Sequence, residues 1–241
     1  KEIAIKNGVW ATFMPKPLYG ENGNGMHTHM SLFKGERNAF YNPKDPNHLS
    51  RTAKYYIAGL LEHASEMTLF TNQWVNSYKR LVPGFEAPIY KTWANISRSD
   101  LVRVPAYKPG KESAVRVEYR SPDPACNPYL AFAVMLASGL EGIENKYKLS
   151  AASDVDVSSL TDAERKKARI GVLPKDLSQA IEEAEESRLL MVILVMAGVD
   201  LGGDPAHGLA VAIGCGVGLI AAMSICDIPG LAGRVAGFSA G

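Results

Sequence analysis

"SAVRVEYRSPDPACNPYLAFAVMLASGLEGI", Ser113–Ile143, changes its periodicity halfway along. Before the Pro-rich "SPDP", the residues alternate. Val115, Val117 and Tyr119 share one face of a strand and Arg116, Glu118 and Arg120 the other. After it, Asn127 is a ready N-cap, Pro128 fits the first helical turn, and an apolar helix follows through "YLAFAVMLASGLEGI". A strand with one charged face feeding a buried helix predicts a domain that mixes sheet and helix.

The flanks extend that pattern. "SRTAKYYIAGLLEHASEMTLF", from Ser50 to Phe70, places apolar residues at 56, 57, 60, 61, 64 and 67, predicting one amphipathic helix. The segments between Leu81 and Arg120 are punctuated by proline and alternate like strands. Upstream, Lys1 to about Tyr41 reads as a short β-meander, with "GVWATFMPKP" strand-like and "LYGENGNG" a loop of turn formers. Thr161 with Glu164 and Asp176 with Gln179 mark two further helix starts. Up to about Leu190 the expectation is one α+β domain with antiparallel strands. From 191 to 241 the texture becomes an apolar Gly/Ala-rich tail, uncharged from Gly208 to Cys226. That run reaches the minimum length of a membrane span, yet it has no aromatic belt and only Arg234 as a basic residue beyond it, so a membrane span is not expected.

The 241 residues are 46% hydrophobic and 21% charged, enough to build a core, and 26 basic against 25 acidic residues leave a formal charge of +1. Near-neutrality excludes a general nucleic-acid binder and a polybasic membrane binder. Three scattered cysteines, Cys126, Cys215 and Cys226, do not make a disulfide framework, which points to a reducing, cytoplasmic setting. The first residue is Lys1, and "KEIAIKNGVW" has neither an apolar signal core nor a basic leader. The chain is expected to be cut from something longer.

Against this neutral background the cations cluster. Arg80, Arg98, Arg103, Arg116 and Arg120 lie within 41 residues, which suits a polyanionic ligand such as ATP. "NGNGMHTHMSLF", Asn22–Phe33, puts His27, His29 and Ser31 on one face of a strand, behind glycines that let a ligand approach the backbone. Alone, the pair fits either two ligands or two ordinary strand histidines. If His27 and Glu118 face one cavity, they make a mixed N/O site of the kind Mg²⁺ or Mn²⁺ occupies beside nucleotide phosphates. Glu86, between Pro83-Gly84 and Pro88, is either an incidental surface carboxylate or one carried by a lid.

Taken together, "NGNGMHTHMSLF", "YKRLVPGFEAP", "SRSDLVRVP", "RVEYRSPDPACNPYLAFAVMLASGLEGI" and "LTDAERKKARIGVLPKDLSQAIE" resemble, in order, the catalytic domain of the type I glutamine synthetase family. The resemblance runs to about Leu190. It implies a curved antiparallel β-sheet, part of a barrel, with flanking helices. It implies ATP-dependent ligation of ammonia to glutamate through γ-glutamyl phosphate, with Mg²⁺ or Mn²⁺, in a homo-oligomer that is a ring dodecamer in the family. By position, Asn22, Gly23, Arg80 and Arg120 would bind glutamate. His29, Ser31, Arg103 and Arg116 would bind ATP, His27 and Glu118 the metal, and Glu86 and Arg98 would act in catalysis.

Three departures qualify the resemblance. The family's N-terminal domain and most of its metal-binding glutamates are absent, so this segment is expected to be inactive alone. Ser97 and Asp100 replace residues usual in the family, and Ser158 stands where some members carry an adenylylated tyrosine. The rival expectations are a ligase joining glutamate to a polyamine or other amine, and a non-catalytic relic.

Overall fold

The computed structural model describes residues 1–196 except 86, 96–98 and 154. Its centre is a four-stranded sheet in the order β1-β6-β5-β4, made of β1 (Thr28–Met30), β4 (Tyr90–Ala94), β5 (Asp100–Arg103) and β6 (Val117–Tyr119). β2 (Phe33–Lys34) and β3 (Arg37–Asn38) form a separate small hairpin. β1 and β5 both run antiparallel to β6, but β4 runs parallel to β5, so the sheet is mixed where an antiparallel one was expected.

The anticipated strand-then-helix unit is present. β6 exposes no residue of Val117–Tyr119, and α5 (Pro128–Glu144) starts at Asn127, whose Oδ1 accepts the amides of Tyr129 (3.0 Å) and Leu130 (3.4 Å). α5 packs along α2 (Arg51–Glu62), itself capped by Ser50. Beneath them Tyr56, Ile57, Leu60, Leu101, Val102, Val117, Val134 and Met135 close the core with almost no solvent contact. The Thr161–Glu164 capping box opens α6 (Asp162–Lys167), and Asp176 caps α7 (Leu177–Glu185), as expected. α8 (Arg188–Met196) follows, with Leu190 and Ile193 buried.

Two expectations are corrected. The helix foreseen from 50 to 70 breaks at His63 (φ −87°, ψ 10°) into α2 and α3 (Ala64–Thr71). α2 keeps a solvent face, whereas α3 is buried on nearly every side. The opening meander is realised only in its last third, as β1 and the β2–β3 hairpin, and β1 pairs with β6 rather than β2; α1 (Glu2–Lys6) and irregular chain precede β1. Val9, Trp10, Phe13 and Met14 remain exposed there, and apolar alternation without a ladder partner does not make a strand. Among the described residues no helix is long and apolar enough to cross a membrane, and Gly208–Cys226 lies outside them.

The break at His63 has a use. Its Nδ1 lies 3.0 Å from Glu66 Oε1, and Glu66 Oε2 accepts the hydroxyl of Ser187, which in turn accepts the amide of Leu190 and caps α8. Burial disfavours the His63 cation, but its bond to Glu66 and the charges of Glu66, Glu141 and Glu62 outweigh this and raise its pKa. Burial likewise works against Glu66, but its bonds to His63 and Ser187, with the His63 and Lys91 charges, lower its pKa. The raised histidine contributes fully below its ordinary value of 6.5 and loses its contribution as pH climbs through the folded value. The depressed carboxylate contributes above its ordinary 4.5 and loses its contribution as pH falls through the folded value. Urea midpoints of the wild type and His63→Gln should therefore differ most between those two values. The gap should narrow on both sides, and a gap independent of pH would refute the coupling.

Candidate functional site

Glu118 sits at the middle of β6, directly opposite His29 on β1 and Arg103 on β5. The three strands thus place a histidine, a carboxylate and an arginine in one row on one face. His27, one pleat before His29, reaches the same carboxylate, with Nδ1 2.9 Å from Glu118 Oε1. Arg120 Nη1 donates to that oxygen at 3.0 Å, and Arg103 forks onto Oε2 through Nε (2.7 Å) and Nη2 (2.6 Å). Glu118 is 2% exposed, and these contacts occupy both of its oxygens.

Electrostatics follow from that ring. Burial opposes ionisation of Glu118, but Arg103, Arg120 and the two histidines outweigh it, so its pKa lies below the ordinary carboxylate value. Burial and then Arg120 and Arg80 lower the pKa of His27, against the pull of Glu118. Burial and the arginines 116 and 103 do the same at His29, against Glu118. Both imidazoles are held neutral, the state in which imidazole binds a metal. With Glu118 ionised, Nδ1 of His27 carries the proton and Nε2 presents its lone pair.

Arg80, at the end of α4 (Ser77–Arg80), is 4% exposed. Nη1 donates to the carbonyls of Ser121 (2.6 Å) and Pro122 (3.3 Å), and Nη2 to that of Arg120 (3.2 Å). The Gly-rich loop lies directly on it. A Cβ on Gly23 would fall 2.4 Å from the Pro15 carbonyl oxygen and 2.9 Å from Arg80 Cγ, and one on Gly25 would fall 2.6 Å from Arg80 Nη2 and 3.1 Å from His27 Nε2. Gly23 is thus required by the closeness of the Pro15 carbonyl and the arginine, and Gly25 by the arginine.

The expected residues come together unevenly. His27, Gly23, Arg80, Arg103, Glu118 and Arg120 form one contiguous cluster, and Asn22 lies exposed at its rim. Arg116 Nε donates to His29 Nδ1 at 3.0 Å, joining two of the residues expected at ATP. Arg103 and Arg116 line a cavity of about 610 Å³ with Asn95, Tyr107, Lys108 and Lys111. Ser31 and His29 instead line a second cavity of about 420 Å³ with Tyr56 and Phe132. Glu86 and Arg98 lie outside the described residues.

Three cavity residues escaped the sequence reading. Tyr107, Lys108 and Lys111 belong to "AYKPGK", where two lysines flank a Pro-Gly turn and signal a cationic loop. Tyr107 is steadied by His48, with ring centroids 4.3 Å apart, and by its hydroxyl on Glu112 (2.9 Å). Lys16 was also missed. Its backbone is clamped by both ends of the Asn76 amide, and its ammonium lies 3.6 Å from the ring centre of Phe85.

The donor chemistry of His27 and Glu118, one imidazole and one carboxylate, suits Mn²⁺ or Mg²⁺. Among the described residues no group of three or more His, Cys, Asp or Glu could hold a metal ion. Their donor types fit such an ion, but they are two donors only, and in this structure they bond each other. An ion reaching Glu118 must displace one of the contacts above, and His27 and Arg103, with side chains 35% and 31% exposed, are the freest to yield.

The chain is similar to known proteins over most of its length. The model of the family "Glutamine synthetase, catalytic domain" matches residues 1–199. A glutamine synthetase of Mycolicibacterium smegmatis is 55% identical over 190 residues, covering 79% of this chain and 43% of that protein. One of Methanosarcina mazei is 52% identical over 190 residues, covering 79% and 42%. Among solved structures, "GmaS/ADP complex-Conformation 1" superposes with a TM-score of 0.71 at 33% identity, covering 90% of this chain and 47% of that one. The chain thus spans less than half the length of the relatives it matches.

Proposed function

Because the chain belongs to the glutamine synthetase family, through its catalytic domain, we propose that it supplies the nucleotide and glutamate half of an ATP-dependent glutamate-ammonia ligase. The observation that carries the reading is the Glu118 cluster: His27 Nδ1 at 2.9 Å, with Arg103 and Arg120 on the same carboxylate. In this reading residues 1–190 are a partial catalytic domain, one wall of a curved barrel, and 191–241 a tail outside it. The change of composition near 190 supports that division, while α8 carries the fold across it to Met196 and the family model reaches residue 199.

His27 and Glu118 would hold Mg²⁺ or Mn²⁺, which when bound supplies positive charge to the nucleotide phosphates. His29, Ser31, Arg103 and Arg116 would bind ATP, a reading supported by the cationic cavity and by a similar protein solved with ADP. Asn22, Gly23, Arg80 and Arg120 would hold glutamate. Its γ-carboxylate oxygen attacks the γ-phosphorus of ATP, the bond to ADP breaks, and the arginines stabilise charge on the transferring group. Ammonia then attacks the acyl carbon and inorganic phosphate leaves with the bonding pair. Arg98 would face the phosphates, and Glu86 would exclude water and take a proton from ammonium. A cytoplasmic homo-oligomer completes the reading, in keeping with the family.

The test is a chimaera in which the matched 190-residue stretch replaces its counterpart in the Mycolicibacterium smegmatis relative. It should form glutamine from glutamate, ATP and ammonium, while the 241-residue chain alone forms none. Turnover with putrescine but not ammonium would assign an amine ligase instead. A folded chimaera without Mg²⁺-dependent nucleotide affinity would mark a relic.

A further inference from the structure

Behind the site lies a buried polar network that the proposed chemistry does not use. Asp123, in the turn between β6 and α5, is fully buried, as are Asn72 and Ser121. Asn72 Nδ2 donates to Asp123 Oδ2 and to the Ser121 carbonyl, each at 2.9 Å. That same carbonyl accepts Arg80 Nη1 at 2.6 Å. Asp123 Oδ1 accepts the amide of Ala125, and its own amide donates to the Thr71 carbonyl. Thr71 Oγ1 donates to Asn72 Oδ1 at 2.9 Å. One turn thus hangs from the end of α3 and presents the carbonyls of Arg120, Ser121 and Pro122 to a single guanidinium.

The charges explain the arrangement. Arg80 is a buried cation whose direct partners are neutral carbonyls, and an isolated buried cation is expensive. Burial raises the pKa of Asp123 and Arg80 pulls against that rise, so carboxylate and guanidinium favour each other's charge across the shared Ser121 carbonyl. The turn also reaches the Gly-rich loop, since the Pro122 carbonyl accepts the Met26 amide at 2.8 Å.

We propose that Asp123 and Asn72 are positioning residues for Arg80: they fix the 120–122 carbonyls that aim its guanidinium and supply the counter-charge that keeps it in place beneath the Gly-rich loop. The inference deepens the reading above, in which Arg80 holds a glutamate carboxylate. Glutamate affinity is then set in part from the β6–α5 turn, by groups that never touch the substrate.

The first test uses this chain and does not depend on that reading. Hydrogen exchange at the Arg80 guanidinium, followed by ¹⁵N NMR, should quicken about tenfold in Asp123→Asn, reflecting a tenfold larger open population. Arg165, which bonds Val157 and Leu160 carbonyls and Asp162 elsewhere in the fold, should not change. If Asp123→Asn does not fold, Asn72→Ser, which cuts the links to the turn and to Thr71 Oγ1 and keeps the Asp123 carboxylate, serves in its place. Unchanged Arg80 exchange in a folded variant would overturn the inference.

The second test uses the chimaera. Asp123→Asn should raise KM for glutamate about tenfold, with kcat and KM for ATP little changed, and should be strongly non-additive with Arg80→Lys. A parallel loss in all three parameters would mark a merely structural role and overturn the inference. Faster Arg80 exchange together with an Arg80→Lys chimaera whose KM for glutamate is unchanged would uphold the positioning and reject the substrate role of Arg80.

Discussion

Replacing Glu118 by glutamine is expected to destabilise the domain by about 3 kcal/mol, and replacement by alanine by about 5, the range for breaking a buried ion pair by removing one partner. The carboxylate is 2% exposed and serves Arg103, Arg120 and His27 together. Glutamine keeps its size and one acceptor oxygen but places an amide donor against two guanidiniums. Arg120, itself 4% exposed, loses its 3.0 Å bond to the carboxylate. Against a total stability of about 5–15 kcal/mol, such a loss leaves a large unfolded fraction, visible as a shifted urea midpoint. Arg103→Met, at the more exposed partner, should cost distinctly less. Equal costs would mean that the cluster is not organised around the carboxylate.

Gly59→Ala should have an effect of similar size for a different reason. In an exposed helix, alanine in place of glycine gains about 1 kcal/mol. Here a Cβ on Gly59 would fall 2.1 Å from the Ser138 carbonyl oxygen and 2.9 Å from Gly142 Cα. A Cβ on Gly142 would meet the Tyr55 carbonyl oxygen at 2.3 Å, and one on Gly139 the Tyr56 ring at 2.1 Å. α2 and α5 therefore cross backbone to backbone, and the blocking atoms cannot turn aside as a side chain would. Overpacking costs about 1–3 kcal/mol where neighbours relax, and here the top of that range or more is expected. Thermal melting decides it: a Gly59→Ala protein that melts higher than wild type would show that the helices do not touch as described.

Much of this was legible because each signal was local. Asn127-Pro128, the Thr161–Glu164 box and Asp176 declare helix starts within a few residues, and all three are used. The alternation Arg116-Glu118-Arg120 placed a charged face before any partner was known, and the pleat of His27 and His29 did the same on β1. What failed was non-local. Nothing in "GVWATFMPKP" says whether a neighbouring strand exists, and nothing in 90–103 says that β4 lies parallel to β5. Arg80 was expected at an anionic ligand, but nothing in "YKRL" shows that the fold buries it under Gly23 and Gly25. The division of the expected ATP residues between two cavities likewise follows from packing around Tyr56 and Phe132, far away in sequence.

The central claim is that His27 and Glu118 serve one divalent ion beside a nucleotide. The most direct measurement follows the His27 ring by NMR in the chimaera as Mn²⁺ is added with ATP. Its signals should vanish first, at substoichiometric Mn²⁺, and should survive the same addition in Glu118→Gln. Ring signals of His27 that persist while Mn²⁺ supports turnover would place the ion elsewhere and contradict the account.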